Sequence, residues 1–451
     1  MKTINPSTGE HGSEITYESL PKLQRELQNI RKNQHRFGNT KLKDRLVHIA
    51  RIGTLLEKRK KLFAKMMAKE VGKPITIGLQ EIDKCIALCD YCVHYSEEAL
   101  KNEKGKTHGG EALISYEPLG VILNIAPWNY PFWLALRSAI PAICAGNGVM
   151  VKHSSYVPEC TKAINKLFKD SGLRNIAICV QTKSDIVSQL IEKKVFDGVS
   201  VIGGSETGSI VASNAALHLI PQVLELGGSD PFIVFDDADL RKAAQQVIAS
   251  RMFNTGQNCD SAKRLFVQKR VASEFEQILI DEVSKLTIGD PMNELTAIGP
   301  MISSRACEDM TSIVEDARRK GARLIYGGHK LNRKGSYFMP TILADVTMDM
   351  KVMSDEVFGP ILPISTFSTE SEVIEMANNT KYGLGASVWT KDKKRINKIV
   401  REIKAGVVCV NKKVRSDILL PFGGIKGSGY GRELGILGFR SFVNVKSISF
   451  D

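Results

Sequence analysis

The sequence predicts an α/β protein built on doubly wound parallel sheets. Short β-like runs alternate with helix-like segments between residues 127 and 235, where the strand-like 148–151 and 175–180 flank the helix-like 159–171. A second section, residues 231–418, repeats the alternation. Strands that alternate with helices pair in parallel within one sheet, with helices packed on its faces.

The size of the chain indicates more than one domain. A chain of 451 residues exceeds a single hydrophobic core, so two or three domains are expected. Hydrophobic residues make up 43% and charged residues 25%, which is usual for a globular protein. No apolar run is long enough to span a membrane, and the first ten residues lack the apolar core of a secretory signal. We therefore expect a cytoplasmic protein with no membrane partner and with reduced cysteines.

The formal net charge of +13 raises the question of a nucleic-acid partner. Basic residues are spread along the chain, as in residues 57–65, and acidic residues interrupt them. No cluster of arginines and aromatic residues stands out. The pattern predicts a solvated basic surface and no nucleic-acid partner, with some attraction for anionic small molecules.

Residues 17–100 have the spacing of helices. Apolar side chains such as Leu46, Ile49 and Ile52 recur three or four residues apart. Residues 70–74 contain a glycine and a proline, which together end a helix.

Three cysteines, Cys85, Cys89 and Cys92, fall on one face of the next predicted helix. Cys89 and Cys92 have the spacing of a zinc-binding pair, but no second Cys/His pair lies at a plausible distance along the chain. A half-buried helix face is the simpler interpretation, and no metal site is expected.

Two strands, residues 111–116 and 120–125, are predicted after a polar linker at residues 102–110. Residues 439–450 alternate apolar and polar side chains, which indicates an amphipathic terminal strand. Such a strand needs the edge of a sheet to pair with.

The motif Asn254-Thr-Gly-Gln-Asn-Cys259 contains a candidate nucleophile. Gly256 suits a tight turn where the backbone approaches a ligand. A cysteine at a turn, with Lys263 and Arg264 close behind, can be stabilised as a thiolate and act as a nucleophile. Taken alone, Cys259 is more simply interpreted as an inert packing residue.

Three further motifs favour the catalytic interpretation: Pro127-Trp-Asn-Tyr-Pro131, Glu225-Leu-Gly-Gly228 and Glu356-Val-Phe-Gly-Pro360. With the Cys259 motif they resemble the aldehyde dehydrogenase superfamily, and the resemblance extends from Ile4 to the C-terminus. It implies oxidation of a small aldehyde with NAD or NADP.

The resemblance implies an aldehyde dehydrogenase-like fold with three parts. A doubly wound dinucleotide-binding domain is expected at residues 1–107 and 126–226, and an α/β catalytic domain at residues 227–432. Residues 108–125 and 433–451 are expected to be β-strand oligomerisation extensions, because the terminal strand of family members joins a neighbouring subunit's sheet. A homodimer or homotetramer follows.

The resemblance assigns catalytic roles to three residues. Cys259 would attack the aldehyde, and the oxyanion so formed needs preorganised donors, which the Asn129 amide and the Cys259 N–H would supply. Hydride loss leaves a thioester, and its hydrolysis needs a general base. Glu225, at the end of an apolar run, would be that base, with a pKa raised by partial desolvation.

The expected cofactor site is spread over several segments. Gly204, Ser205 and Gly208 follow a strand-like run and open a helix, where backbone amides can approach a pyrophosphate. By resemblance, Lys152 contacts the adenosine ribose, Glu356 holds the nicotinamide ribose and Phe358 packs beside the nicotinamide. The remaining candidates for cofactor contact are Pro127, Trp128, Ser154, Ser155 and Leu226.

One departure from the family pattern bears on the choice of cofactor. The family often has Lys-Pro-x-Glu, and this chain has Lys152-His-Ser-Ser155. A glutamate there would repel a 2′-phosphate, whereas Ser155 can donate to it, with Lys152 as the counter-charge. NADP is therefore favoured over NAD. A second departure, Asp260 directly after the nucleophile, is expected to raise the pKa of Cys259.

Within the family, the chain most resembles short bacterial succinate-semialdehyde dehydrogenases. Arg137 is expected to pair with the distal carboxylate of the substrate, and Ser416 to hydrogen-bond it. Residues 418–420 are Ile-Leu-Leu where the family often has an arginine, which leaves room for a more apolar aldehyde.

Other functions are compatible with the resemblance. An acylating enzyme that passes the thioester to coenzyme A would not need Glu225. A non-catalytic member used as a binding protein would need neither Cys259 nor Glu225. A second, RNA-binding role beside the enzymatic one stays open. The presence of both residues favours a hydrolytic dehydrogenase.

Overall fold

The computed structural model describes residues 2–450, which form fourteen helices and eighteen strands. The helices are α1 (Leu20–Gly38), α2 (Leu42–Val71), α3 (Ile75–Leu100), α4 (Pro131–Cys144), α5 (Pro158–Asp170), α6 (Ser184–Glu192), α7 (Ser205–Ala216), α8 (Leu240–Arg251), α9 (Ala272–Ser284), α10 (Ser304–Arg319), α11 (Lys351–Ser354), α12 (Glu370–Asn378), α13 (Lys393–Glu402) and α14 (Gly435–Arg440). The strands are β1 (Lys2–Ile4), β2 (His11–Glu14), β3 (Glu103–Lys106), β4 (Glu111–Pro118), β5 (Val121–Ala126), β6 (Gly148–His153), β7 (Ala177–Val180), β8 (Gly198–Ile202), β9 (Gln222–Glu225), β10 (Asp230–Val234), β11 (Ala262–Gln268), β12 (Arg323–Tyr326), β13 (Thr341–Ala344), β14 (Ile361–Phe367), β15 (Gly385–Trp389), β16 (Val407–Val410), β17 (Gly429–Tyr430) and β18 (Val443–Ser449).

A six-stranded sheet has the order β17-β9-β8-β5-β6-β7. Its strands are parallel except for β17, which runs antiparallel to β9. Alternate side chains of β5 enter two cores: Ile122 packs among residues of α2–α5, and Leu123 among residues of α1, α6 and α7. Helices thus cover both faces, which confirms the predicted doubly wound sheet.

This sheet contains a topological switch point. The chain runs outward from β5 through β6 to β7, and then returns to place β8 on the other side of β5. In open α/β sheets the crevice at the carboxyl ends of such strands binds ligands. The segment that follows β5 is therefore at the position where a cofactor is expected.

A seven-stranded sheet has the order β12-β13-β14-β11-β10-β15-β16, and only β12 is antiparallel to its neighbour. Helices α8 and α9 pack on one face and α10, α12 and α13 on the other. The predicted second α/β section is confirmed, and it supplies the candidate nucleophile just before β11.

A third, antiparallel sheet has the order β18-β4-β3. The terminal strand β18 pairs with β4 from Val443 opposite Pro118 to Ser449 opposite Ala112. The strand begins later than residue 439, because residues 435–440 form helix α14.

Two segment boundaries differ from those expected. β5 falls in residues 108–125 except for its last residue, but it pairs with β6 and β8 and so belongs to the six-stranded sheet. β3 lies within residues 1–107 but pairs with β4. The reason is that a strand belongs to the sheet of the strands with which it forms hydrogen bonds, and the order of segments along the chain does not reveal those partners.

The break between α2 and α3 is as predicted. Gly72, with φ of 70°, ends α2 in a left-handed conformation, and Pro74 precedes α3. Cys85, Cys89 and Cys92 are buried and free in the core beneath α3. Among residues 2–450, no group of side chains suited to hold a metal is found, and none of the helices is long and apolar enough to cross a membrane.

Candidate active site

The carboxyl ends of four parallel strands lie at one edge of the six-stranded sheet. β5 and β6 lead into the Trp-Asn turn and the Lys-His-Ser-Ser segment, and β8 and β9 lead into the two glycine motifs. The sequence candidates at this edge are Pro127, Trp128, Asn129, Lys152, Ser154, Ser155, Gly204, Ser205, Glu225 and Leu226.

The nucleophile turn has an unusual backbone. Asn254, Thr255 and Gly256 have φ values of 51°, 58° and 70°. A Cβ atom on Gly256 would lie 2.3 Å from the carbonyl oxygen of Gly359, so only glycine fits. The predicted tight turn is confirmed, and it packs against the Glu356 motif.

Arg251, at the end of α8, fixes this arrangement. Its buried guanidinium donates to the carbonyl oxygens of Val357 at 2.9 Å and Ile361 at 2.6 Å, and to the hydroxyl of Ser261 at 2.8 Å. It also donates to the carbonyl of Gly359. Sequence reasoning missed this role, because an arginine on a helix is ordinarily exposed.

Asn129 lies against the nucleophile turn. Its side-chain amide donates to the carbonyl oxygen of Gln257 at 3.1 Å, and Asn254 donates to the Asn129 carbonyl at 3.2 Å. A side-chain amide has two N–H groups, so one remains for a further acceptor. The structure thus places Asn129 in contact with Gln257, two residues before Cys259 in the chain.

Glu225 is buried at the end of β9, with 3% of its surface exposed. Burial raises its pKa to about 8; the positive charge of Arg137 opposes the rise and the carboxylate of Glu433 adds to it. Its Oε1 atom has no hydrogen-bond partner within the described chain. A carboxylate with a free oxygen and a pKa near neutrality is suited to accept a proton.

The Cys259 thiol is not stabilised as a thiolate, contrary to the expectation from the sequence. Burial raises its pKa well above the ordinary value, and the charge of Asp260 raises it further. Lys263 and Arg137 lower the pKa by less than burial raises it. A nucleophilic role for Cys259 would therefore need a base that takes the thiol proton.

Arg137 does not lie where the sequence argument placed it. Its guanidinium is 2% exposed, forms a salt bridge with Glu433 and lies 3.4 Å from Glu225. Two cavities, described below, lie near the nucleophile turn, and Arg137 lines neither of them. Its guanidinium packs against the ring of Phe422, which lines the larger cavity. Two carboxylates already engage this cation, and the predicted contact with a substrate carboxylate stays a prediction.

The residues expected beside the nicotinamide lie close together. The rings of Trp128 and Phe358 meet edge to face with centroids 5.8 Å apart. Glu356 accepts from the Gly228 N–H at 3.1 Å and from Lys263 Nζ at 3.0 Å. Lys263 also donates to the Cys259 carbonyl at 2.6 Å, a link between the nucleophile and Glu356 that sequence reasoning missed.

The phosphate-side candidates also form one unit. Gly204 is the N-cap of α7, and a Cβ atom on it would meet no atom within 4 Å, so the space beside the helix start is open. A Cβ on Gly208 would lie 2.4 Å from Leu226, so these two candidates pack directly together. Ser205 donates to the Gly427 carbonyl at 3.1 Å. Open space at a helix N-terminus fits a pyrophosphate.

The adenosine-side candidates follow β6. Lys152 pairs in the sheet between Ile125 and Val180, and burial lowers its pKa. Ser154 accepts from Gln181 at 2.8 Å through its carbonyl, and Ser155 is half-buried beside it.

A cavity of about 140 Å³ lies beside the nucleophile turn. Asn258 and Asp260 form one side, and Lys84, Lys413 and Arg415 line the rest together with aromatic rings. A larger cavity of about 1090 Å³ shares these three cations, and Ser416 lines it. Ser416 accepts a hydrogen bond from Lys84 at 2.5 Å, so of the two substrate candidates only Ser416 is at the cavity.

Comparison with known proteins decides the class. Residues 1–448 match the aldehyde dehydrogenase family. The chain belongs to this family. The predicted aldehyde dehydrogenase-like fold and the NAD(P)-dependent oxidation of an aldehyde are thereby confirmed.

Several relatives of this aldehyde dehydrogenase carry a more specific name. It is 36% identical to the Escherichia coli K12 succinate semialdehyde dehydrogenase (NAD(P)+) Sad, over 99% of this chain and 97% of that protein. It is 38% identical to a probable succinate-semialdehyde dehydrogenase (NADP(+)) of Synechocystis, over 99% of both. The crystal structure of succinic semialdehyde dehydrogenase from Streptococcus pyogenes with NADP+ superposes with a TM-score of 0.96, at 33% identity and over 100% and 99% of the two chains.

Proposed function

We propose that this enzyme oxidises succinate semialdehyde to succinate and favours NADP. The observation that carries the proposal is the cation-lined cavity beside Cys259. Its charged residues are Lys84, Lys413, Arg415, Asp260 and Glu81, and Glu81 is already paired with Lys73. Three cations therefore face one free carboxylate, an excess that suits an anionic aldehyde.

The chemistry of succinate semialdehyde fits this cavity. The substrate carries a carboxylate at the end remote from the aldehyde, and burial of that charge is costly without cationic or hydrogen-bonding partners. Lys84 holds Ser416 by a hydrogen bond, so an ammonium and a hydroxyl meet at one place on the cavity wall. Relatives named for this substrate support the same choice.

A more apolar aldehyde is the second candidate. Tyr130, Trp133 and Phe253 also line the small cavity, and their rings would pack on an aliphatic chain. The exposed Leu419 and Leu420 extend the apolar surface close to Ser416.

The proposed reaction begins at the nucleophile turn. The Cys259 thiol gives up its proton to a base, and its sulfur forms a bond to the aldehyde carbon. The negative charge on the former aldehyde oxygen is then held by the free N–H of Asn129 and the backbone N–H of Cys259. When bound, the cofactor supplies a nicotinamide that accepts the hydride, and the substrate remains on Cys259 as a thioester.

Glu225 completes the reaction in this proposal. Its Oε1 accepts a proton from water, the water oxygen bonds to the thioester carbon, and the C–S bond breaks. The acid leaves and Cys259 regains a proton. An ionised Glu225 is required, and its pKa of about 8 means that this form grows as the pH rises towards 9.

The residues present fit a dinucleotide, and the preference for NADP rests on the segment after β6. Lys152 supplies a positive charge, and the half-buried Ser155 stands where many family members have a glutamate. A hydroxyl at this position can donate to a 2′-phosphate, whereas a carboxylate would repel it.

The proposal is tested by steady-state oxidation of an aldehyde panel with each cofactor. We expect the highest kcat/KM with succinate semialdehyde and NADP, and a value at least tenfold lower with butanal, since the three cations offer nothing to an uncharged chain. A higher kcat/KM for butanal would refute the substrate assignment and support the apolar aldehyde.

We also propose a homodimer or homotetramer in the cytoplasm. The support is β18, which pairs with β4 on one side and is the last strand of its sheet on the other, with Val445 57% exposed. An edge of this kind can accept a strand from a second subunit. The division into dinucleotide-binding, catalytic and oligomerisation segments stays a prediction.

A further inference from the structure

Two buried glutamates lie on either side of the break between α2 and α3. Glu70 is the second-last residue of α2, and Glu81 is in the second turn of α3. Glu70 is 6% exposed and Glu81 4%. Both carboxylates point away from solvent, and each contacts the start of a different helix.

Glu81 caps α4. Its Oε1 accepts from the backbone N–H of Phe132 at 2.9 Å and of Trp133 at 3.0 Å. The helix begins at Pro131, which has no N–H, and the preceding Tyr130 supplies no side-chain cap. A carboxylate at this position satisfies both free donors and complements the helix dipole. Only Tyr130 separates Asn129 from the start of α4.

Glu70 caps α5 in the same way. Its Oε1 accepts from the N–H of Glu159 at 2.6 Å and its Oε2 from the N–H of Cys160 at 3.0 Å. This helix also begins at a proline, Pro158, and Val157 supplies no cap. The start of α5 follows the Lys152–Ser155 segment.

Lys73 is part of the Glu81 contact. It lies in the break itself, is 1% exposed and forms a salt bridge with Glu81. Its Nζ lies 3.8 Å from the centroid of the Tyr130 ring. Tyr130, the residue after Asn129, is thus held by a cation–π contact with Lys73. Helix α4, which follows Tyr130, is held by the carboxylate of Glu81. His153 Nε2 donates to the Pro131 carbonyl at 2.9 Å, which ties the two capped segments together.

We propose that Glu81 and Glu70 are positioning residues with separate tasks: Glu81, with Lys73, holds the Asn129 turn that stabilises the oxyanion, and Glu70 holds the Ser154–Ser155 turn that meets the cofactor. The proposal rests on the roles assigned above to Asn129 and Ser155. Neither glutamate touches substrate or cofactor. Each acts through the helix start that it caps, so the two should affect different steps of the same reaction.

The test compares Glu81→Gln with Glu70→Gln, each of which replaces a capping carboxyl group by a neutral amide with a single accepting oxygen and so weakens the cap. For Glu81→Gln we expect the hydride burst at saturating NADP to slow by about tenfold, because a small displacement of the oxyanion donor is costly. Its Kd for NADP should stay within about twofold. For Glu70→Gln we expect the reverse, a Kd raised by about three- to tenfold and an unchanged burst at saturation. A merely structural role would move both parameters together in both variants.

A double-mutant cycle with Asn129→Ala separates failure of this inference from failure of the proposed function. Asn129→Ala should slow the burst by about 10²- to 10³-fold. If it does not, the oxyanion role of Asn129 is wrong. If Asn129→Ala does slow the burst, adding Glu81→Gln to it should slow the burst by less than about a further twofold, since the turn then holds no oxyanion donor. If Glu81→Gln slows the burst of Asn129→Ala by the same factor as it slows that of the wild type, the positioning role of Glu81 is overturned.

A second variant covers the case in which Glu81→Gln does not fold because Lys73 is left without a counter-ion. The double variant Lys73→Met with Glu81→Leu removes both buried charges and leaves neither unpaired. It lacks the cap on Phe132 and Trp133, so its burst should also be slow while NADP binding persists. A wild-type burst in this variant would contradict the proposal.

Discussion

The pH dependence of turnover is the sharpest consequence of the buried carboxylates around Glu225. The pKa of Glu225 is raised to about 8, so the group is protonated below that pH and cannot act as a base there. From pH 7 to pH 9 its ionised fraction grows from about one tenth to about nine tenths, so deacylation should speed up by about tenfold.

Replacement of Glu433 by glutamine should move this profile to lower pH. Glu433 and Glu225 both contact the same Nη2 atom of Arg137, which places their oxygens within about 6 Å of each other. Two unit charges at that distance and an effective dielectric constant of 20 interact by about 2.8 kcal/mol, which corresponds to at most about two pKa units. Without the charge of Glu433, the pKa of Glu225 should fall towards about 6.

The assay is kcat against pH for wild type and Glu433→Gln, with thioester decay followed in a single turnover. At pH 7 the variant should deacylate up to about tenfold faster, and at pH 9 it should match the wild type. Glu308→Gln, an exposed carboxylate on α10, is the control and should leave the profile unchanged. A midpoint that stays near 8, or rises, would refute the view that Glu433 helps to set the pKa of Glu225.

Three further outcomes are expected. Ser155→Glu should reverse the cofactor preference from NADP to NAD in kcat/KM, and a retained NADP preference would show that this position does not meet the 2′-phosphate. Lys413→Met should lower kcat/KM for succinate semialdehyde by about 10- to 150-fold and leave butanal nearly unchanged, as the loss of a charge-assisted hydrogen bond requires; equal losses on both aldehydes would remove Lys413 from the substrate site. Arg137→Met should impair both aldehydes alike, because Arg137 contacts Glu225 and Glu433 rather than the cavity; a loss confined to succinate semialdehyde would restore the original assignment.

Much of the site could be predicted because its motifs sit at predictable places in an α/β fold. Trp128 and Asn129 follow β5, and Gly204 follows β8, so parallel pairing alone brings them to one edge. Gly256 was predicted from the need for a tight turn, and its φ of 70° bears this out. The assigned roles of these residues stay predictions.

The charged residues were harder to place, because the sequence shows a charge but not its partner. From the sequence, Arg137 is expected to pair with a substrate carboxylate, yet Glu433, almost 300 residues later, forms a salt bridge with it. Arg251, Lys263 and Glu81 look like surface residues on helices or strands and are buried. Important partners of these three residues, namely Val357, Glu356 and Phe132 respectively, lie in segments that only the tertiary fold brings near.

The Cys259 thiol illustrates the same limit. Lys263 and Arg264, close behind Cys259 in the sequence, suggested that its thiolate is stabilised. Asp260 suggested instead that the pKa of the thiol is raised. Burial, which no local pattern reveals, has the largest effect and raises the pKa of the thiol. Arg264, one of the two basic residues, is directed to the carbonyl of Ser229 instead, at 2.9 Å.

The most direct test of the proposed chemistry is to trap the thioester. Glu225→Gln should retain a hydride burst with NADP and succinate semialdehyde but hydrolyse the thioester slowly, since only deacylation needs the base. After an acid quench, mass spectrometry of the digested protein should find one succinyl group on the Cys259 peptide, in an amount equal to the NADPH formed. A burst without this adduct, or an adduct on another of the nine cysteines, would contradict the account.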